Sequence, residues 1–277
     1  VSELEPIDPY LDDSKARRRH RVRRALTKPV MSTILRPTVL GEENIENLDG
    51  AFILVPNHSS HLDAPMIFSL LPDKLTERLA TGAAADYFYR RRGISNLTSL
   101  FFNTYPIERG KKPTGKAGSE YQPGRAKGMT GRLLAAGVPI LIFPEGTRSR
   151  TGELGTPKAG AAALAQRFNV PIVPIAMSGG HEVMPVGAVL PKFRGEVFLF
   201  IGRPMYGLAE EDPADFMGRV FTAIQMMLEQ KSAHPLTPEG TSPFDAAQAG
   251  QAPTAGAAPE AGDPSEAGEA GEFPETE

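Results

Sequence analysis

The sequence predicts an α/β fold, a mostly parallel central sheet with helices on both faces. Three observations carry that expectation. Short continuous apolar runs at residues 52–55, 139–143 and 171–176 have the length and branched-aliphatic content of strands buried on both sides. Longer stretches between them place apolar residues at helical spacing. The two kinds of segment alternate along the chain, as βαβ units do.

A chain of 277 residues can bury a sizeable core, and its length permits one or two domains. It has no cysteine, which excludes a disulfide framework, a thiolate nucleophile and a cysteine-based zinc site. The net charge of −3 conceals a division. From Glu239 onwards there are nine acidic residues and no Lys or Arg, so residues 1–238 hold 30 basic against 24 acidic side chains, a net +6. A mildly basic body suits an anionic partner. The apolar runs fall far short of the roughly 20 residues that span a bilayer. Val1-Ser2-Glu3-Leu4-Glu5 is acidic and lacks the apolar core of a signal peptide. The expectation is a cytoplasmic protein, soluble or peripheral at the inner face of the membrane, with no transmembrane helix.

Residues 1–40 form a basic N-terminal segment. Lys15, Arg17, Arg18, Arg19, Arg21, Arg23, Arg24 and Lys28 have almost no counter-charge, and the more apolar residues 30–35 follow Pro29. This reads as an interfacial helix with an apolar anchor on an anionic membrane surface, each cation contributing about 1 kcal/mol. A solvated basic segment has the same composition. A nucleic-acid arm would want interleaved aromatics, which are absent, so no nucleic-acid partner is expected.

Residues 41–233 read as the main domain. Residues 41–50 lead into the first strand, 52–55, and residues 62–71 form a helix closed by Pro72-Asp73. A second strand follows at 78–83, then an apolar helical stripe at 94–102 and a strand at 104–108. Gly110-Lys111-Lys112-Pro113-Thr114-Gly115-Lys116-Ala117 nearly spells a nucleotide-binding loop. Ala117 stands where a magnesium-binding hydroxyl is needed and Pro113 occupies the loop, so a mobile basic loop over the site is expected instead. Residues 125–136 and 159–168 read as helices, 171–176 and 196–201 as strands, and 215–230 as a covering helix. Residues 234–277, rich in Ala, Gly, Pro and Glu, cannot bury enough apolar surface to offset their ordering entropy and read as a disordered acidic tail.

Two polar stretches follow core strands, where α/β proteins carry chemistry. In Asn57-His58-Ser59-Ser60-His61-Leu62-Asp63, a carboxylate at the helix start can turn back to an imidazole five residues earlier. Such a carboxylate holds one tautomer and stabilises the imidazolium that forms on taking a proton. The plainer reading is that Asp63 caps the helix and His58 is an ordinary loop histidine. In Phe143-Pro144-Glu145-Gly146-Thr147-Arg148, Gly146 permits a tight turn, Thr147 offers a hydroxyl, and Arg148 presents a planar fork matched to phosphate oxygens. Glu145, awkward beside an anion, is expected to orient Arg148 or neighbouring donors.

Together these stretches resemble the glycerolipid acyltransferase family, best known for the lysophosphatidic acid acyltransferases. Four blocks occur in order: Asn57, His58 and Asp63; Tyr105-Pro106-Ile107-Glu108-Arg109-Gly110; Phe143 to Arg148; and Val170-Pro171-Ile172-Val173-Pro174-Ile175. The second departs from the family's habit of an aspartate or similar residue before its arginine. The resemblance runs from about residue 41 to about residue 204. It implies a glycerol-3-phosphate acyltransferase-like fold, with His58 as general base and Asp63 orienting it. It also implies an acceptor-binding set of Arg109, Glu145, Gly146, Thr147, Arg148 and Lys158, and an acyl pocket shaped by Pro171. In that set Arg109, Gly146, Thr147 and Arg148 position the phosphate, Lys158 adds a second cation and Glu145 orients donors. The implied reaction moves a fatty acyl group from acyl-CoA or acyl carrier protein to lysophosphatidic acid, giving phosphatidic acid, with no further cofactor and no metal. Glycerol 3-phosphate or another lysolipid is the alternative acceptor. Asn57 or a nearby backbone N–H is a candidate for the oxyanion. A metal-dependent hydrolase using His58, His61 and Asp63, and a non-catalytic lipid-binding module, are the readings from other classes.

Overall fold

The apolar runs become neighbours in one seven-stranded sheet: β1 (Leu35–Leu40), β2 (Ile53–Pro56), β3 (Ala80–Ala84), β4 (Thr104–Ile107), β5 (Ile140–Leu141), β6 (Ile172–Ser178) and β7 (Gly195–Ile201). Their order is β1-β7-β6-β2-β5-β3-β4, and every pair is parallel except β6 with β7. The computed structural model describes residues 4, 6–84, 101–107, 128–188 and 190–233. The expectations for residues 108–127, Arg109 included, for most of the 94–102 stripe and for the 234–277 tail fall outside them. The helices that lie within the described residues are α1 (Asp8–Leu11), α2 (Asp13–Val22), α3 (Lys28–Ile34), α4 (Asp63–Leu70), α5 (Asp73–Thr76), α6 (Met129–Ala135), α7 (Gly160–Arg167), α8 (Gly180–Val183) and α9 (Pro213–Ala233).

Strand β2 is central and buried at every residue, which is why its run is apolar without alternation. Leu54, Leu141, Val173, Val197 and Leu199 join one core layer with Met66, Ile67 and Leu70 of α4. Ile53, Ile140 and Ile172, one residue earlier, take the opposite face. On that side α7 packs on β2, and α9 packs on β6 and on α7.

Ile53 is in register with Ile140 on one flank and Ile172 on the other. From β2 the chain passes through α4 towards β3 and β4; from β5 it passes through α7 to β6, on the other flank of β2. The direction of winding reverses between β2 and β5, and the loops leaving their C-terminal ends part there. Open α/β sheets hold their ligands in such crevices.

The N-terminal segment differs from its sequence reading. Residues 35–40 form edge strand β1, paired with β7 from Leu35↔Gly195 to Leu40↔Phe200. Pro37 obscures the strand in sequence, and an edge is where a strand tolerates proline. Met31 and Leu35 are buried and Ile34 packs against the core, so half of the expected apolar anchor faces inward. The basic run is helical through α2 and a π-helical turn at Arg23–Thr27. Arg23 is buried: it donates to the carbonyls of Thr76 (2.9 Å) and Phe101 (3.2 Å), and its guanidinium lies 5.5 Å from the Phe68 ring centre. Burial, with the charge of Arg19 nearby, lowers its pKa to about 10. Part of the positive charge is therefore structural rather than presented to solvent. Among the described residues, no helix is long and apolar enough to cross a membrane.

Candidate active site

The loop after β2 carries Asn57 to Leu62, and its geometry is set by one buried carboxylate. Asp63 Oδ2 accepts from the backbone N–H of Ser59 (2.7 Å) and Ser60 (2.8 Å) and lies 2.8 Å from His58 Nδ1. Asp63 does not cap α4, whose N-cap residue is Leu62 and whose first turn takes no side-chain cap bond. Its carboxylate braces the turn before the helix and holds the ring. Asp63 is fully buried, whereas the His58 side chain keeps 19% of its surface exposed. With Nδ1–H turned to the carboxylate, Nε2 carries the lone pair. The ring also stacks on Phe143, centroids 4.1 Å apart.

Three further ties fix the loop from outside. The Asn57 amide donates to Met177 O (2.9 Å) and accepts from Met177 N–H (2.7 Å), joining the ends of β2 and β6. Both polar atoms of that buried side chain are engaged, so the structure favours a bracing role over the oxyanion role considered from sequence. Ser60 Oγ donates to Met184 O at 2.8 Å. Gly180, at the start of α8, leaves room for the dyad, since a Cβ there would lie 3.0 Å from Asp63 Oδ1.

The loop after β5 comes to the same place because β5 is the parallel neighbour of β2. Ser149 N–H donates to His58 O (2.8 Å), and Glu145 Oε1 accepts from His58 N–H (2.6 Å) while Oε2 accepts from Gly155 N–H (2.8 Å). Glu145 therefore orients backbone donors beside His58 rather than Arg148. Burial pushes its carboxyl above the ordinary glutamate value, opposed by those two N–H groups. In Glu145→Gln the amide NH2 must face one of the two N–H donors. A stability loss of about 1–3 kcal/mol is expected, together with lower kcat/KM. Urea midpoints and steady-state kinetics measure both, and an unchanged midpoint would remove this strut from the account.

Gly146 has a left-handed φ of +71°, which lets the chain turn directly after Glu145. Lys158 lies against that turn: a Cβ on Gly146 would be 3.4 Å from its Nζ. Arg148 Nη1 donates to His61 Nδ1. Partial desolvation and then the Arg148 charge hold the His61 imidazole below its ordinary pKa, favouring the neutral, accepting ring. Because His61 turns to Arg148, the three residues of the metal-hydrolase reading do not converge. Among the described residues no His, Cys, Asp or Glu cluster is arranged to hold a metal ion. A cavity of about 240 Å³ is lined by Glu145, Thr147, Arg148, Ser149, Thr151, Glu153, Leu154, Gly155 and Thr156.

His58, Asp63, Glu145, Gly146, Thr147, Arg148 and Lys158 are thus gathered at the C-terminal ends of two adjacent strands. Sequence reasoning missed Phe143 as a ring platform, Ser60 and Gly180 as props, and His61 as the partner of Arg148. Phe143 alone left a signal, as an aromatic at the last position of a core run. The arrangement can accept a proton at Nε2 beside a cationic loop suited to an anion.

Comparison with known proteins points the same way. The chain is 30% identical over 169 residues to the chloroplastic 1-acyl-sn-glycerol-3-phosphate acyltransferase BAT2 of Brassica napus, covering 61% of this chain and 45% of that one. It is 29% identical over 167 residues to the chloroplastic 1-acyl-sn-glycerol-3-phosphate acyltransferase LPAT1 of Arabidopsis thaliana, covering 60% and 43%. It spans less than half the length of either relative. The crystal structure of the 1-acyl-sn-glycerophosphate acyltransferase PlsC from Thermotoga maritima shares the fold, with a TM-score of 0.57 at 23% identity over 80% of each chain. The profile of the Acyltransferase family matches residues 36–178, from edge strand β1 through both polar loops to the end of β6, and this chain belongs to that family.

Proposed function

We propose that the protein transfers a fatty acyl group from an acyl-CoA or acyl-carrier-protein thioester to the free hydroxyl of lysophosphatidic acid, forming phosphatidic acid. The observation that carries this reading is the His58–Asp63 pair beside the Gly146–Arg148 loop in one crevice, with Nε2 free to act as base. Nε2 takes the hydroxyl proton as the oxygen attacks the thioester carbonyl carbon. The C–S bond then breaks, and the departing thiolate takes the proton from the imidazolium, leaving ester and thiol. No acyl-enzyme is needed. Arg148, Thr147, Lys158 and Arg109 hold the phosphate and so place the hydroxyl. The acceptor is a bilayer lipid, so the protein works peripherally at an anionic membrane surface, with the exposed N-terminal cations drawing it there.

The test is an acyl-transfer assay with lysophosphatidic acid, glycerol 3-phosphate and a neutral lysolipid, each with both donors. Turnover is expected to be highest with lysophosphatidic acid; equal turnover of the neutral lysolipid would overturn phosphate recognition. Arg148→Ala is expected to raise the acceptor KM about 10–100-fold, the size of one lost charge-assisted contact, with donor KM little changed. An unaltered acceptor KM would take Arg148 out of the site.

A further inference from the structure

With Met31, Ile34 and Leu35 turned into the core, α3 and the preceding turn present only Leu26 and Val30 as large exposed apolar side chains. That is a thin anchor for a protein working on a bilayer lipid. A second apolar feature lies beside it. Leu190 is 79% exposed and Phe193 67%, in the loop between α8 and β7. Exposed Lys192 and Arg194 alternate with them, and residues 184–195 contain no carboxylate.

This exposure is held by the backbone and is not a fraying end. Lys192 N–H donates to Val183 O (2.8 Å) and Arg194 N–H donates to Ile34 O (2.5 Å), pinning the turn to α8 and to the last residue of α3. Arg194 adopts a left-handed φ of +58°, a conformation rare outside glycine and adopted here directly after Phe193. The position also matters. β7 runs antiparallel to β6 with Ser178 opposite Phe198, so the connection from β6 to β7 lies along the edge where β6 ends. The loops of His58 and Arg148 leave parallel β2 and β5 at that same edge. α3 reaches it too, since Leu35 pairs with Gly195.

We propose that residues 190–194 form a second membrane-docking element. Leu190 and Phe193 enter the interfacial region of an anionic leaflet, Lys192 and Arg194 bind its headgroups, and Leu26 and Val30 lie alongside. The catalytic edge of the sheet then faces the membrane, and the acceptor enters the crevice without leaving it. Alternating apolar and cationic residues on a projecting turn suit a leaflet, which offers apolar depth beneath negative charge. The proposal rests on the lipid-acceptor reading of the site.

The chain has no tryptophan, so Phe193→Trp places a single reporter. Its emission is expected to shift to the blue with vesicles containing phosphatidylglycerol, and brominated lipids are expected to quench it. Leu190→Ser with Phe193→Ser is expected to lower partitioning onto the same vesicles at least about tenfold, at unchanged thermal stability. Turnover of vesicle-embedded lysophosphatidic acid should fall in parallel while turnover of a monomeric short-chain analogue stays the same. Unshifted tryptophan emission, unchanged partitioning, or an equal fall with the monomeric acceptor would overturn the proposal. So would a variant that keeps its vesicle binding but loses affinity for an acidic acyl carrier protein. Partitioning is read without turnover: a chain that docks through this turn but transfers no acyl group sinks the proposed function and leaves the docking, and the converse result does the reverse.

Discussion

His58→Ala is expected to lower kcat for acyl transfer by about 10²–10⁴-fold, the usual contribution of a placed general base. The acceptor should still bind with little change. The proposed phosphate contacts come from the loop after β5, and the His58 backbone stays clamped by Glu145 and Ser149 when the ring is gone. The ring is part-exposed, and without it the buried Asp63 Oδ2 keeps the Ser59 and Ser60 N–H groups. The stability loss should therefore stay near that of a single hydrogen bond, about 1 kcal/mol. Steady-state kinetics with calorimetric titration of lysophosphatidic acid separate the two effects. Near-normal kcat in His58→Ala would end the general-base mechanism, and lost acceptor binding with it would turn His58 into a binding residue.

Asp63→Asn is expected to cost a comparable factor in kcat, and to destabilise the fold as well. Oδ2 collects the ring Nδ1–H and two backbone N–H groups in a fully buried position. An asparagine oxygen placed there is neutral and no longer offsets the imidazolium formed during proton transfer. Its NH2 then takes the place of Oδ1, a buried atom without a hydrogen-bond partner among the described residues, and becomes an unpaired buried donor there. The expected stability loss is about 1–3 kcal/mol. Urea unfolding and kcat are to be measured on the same preparation. A variant that loses stability but keeps its rate would show Asp63 to be a brace for the turn and nothing more.

The parts of this protein legible in its sequence are those where one residue type answers one local demand. Continuous apolar runs announce β2 and β6 because strands buried on both faces carry no polar alternation. Gly146 announces a turn because its left-handed φ excludes most other residues. The His58 to Asp63 spacing carries its meaning locally, because five residues and a helix start suffice to close the pair. Strand β1 was not legible: Leu35-Arg36-Pro37-Thr38-Val39-Leu40 contains the residue that argues most strongly against a strand, and only its edge position explains the tolerance. The strand expected at residues 139–143 shortens to Ile140–Leu141; Ile142 N–H still donates to Leu54 O (3.0 Å), and the turn into the site loop begins at Pro144.

The sequence by itself determined the sheet's class, the His58–Asp63 pair and the anion-suited loop, because each is written within a few consecutive residues. Tertiary structure alone decided that Glu145 braces His58 from 87 residues away, that Asn57 ties β2 to Met177, and that Arg148 meets His61. Those contacts follow from β2 lying between β5 and β6, and strand order is a property of the folded sheet that no local pattern of residues encodes.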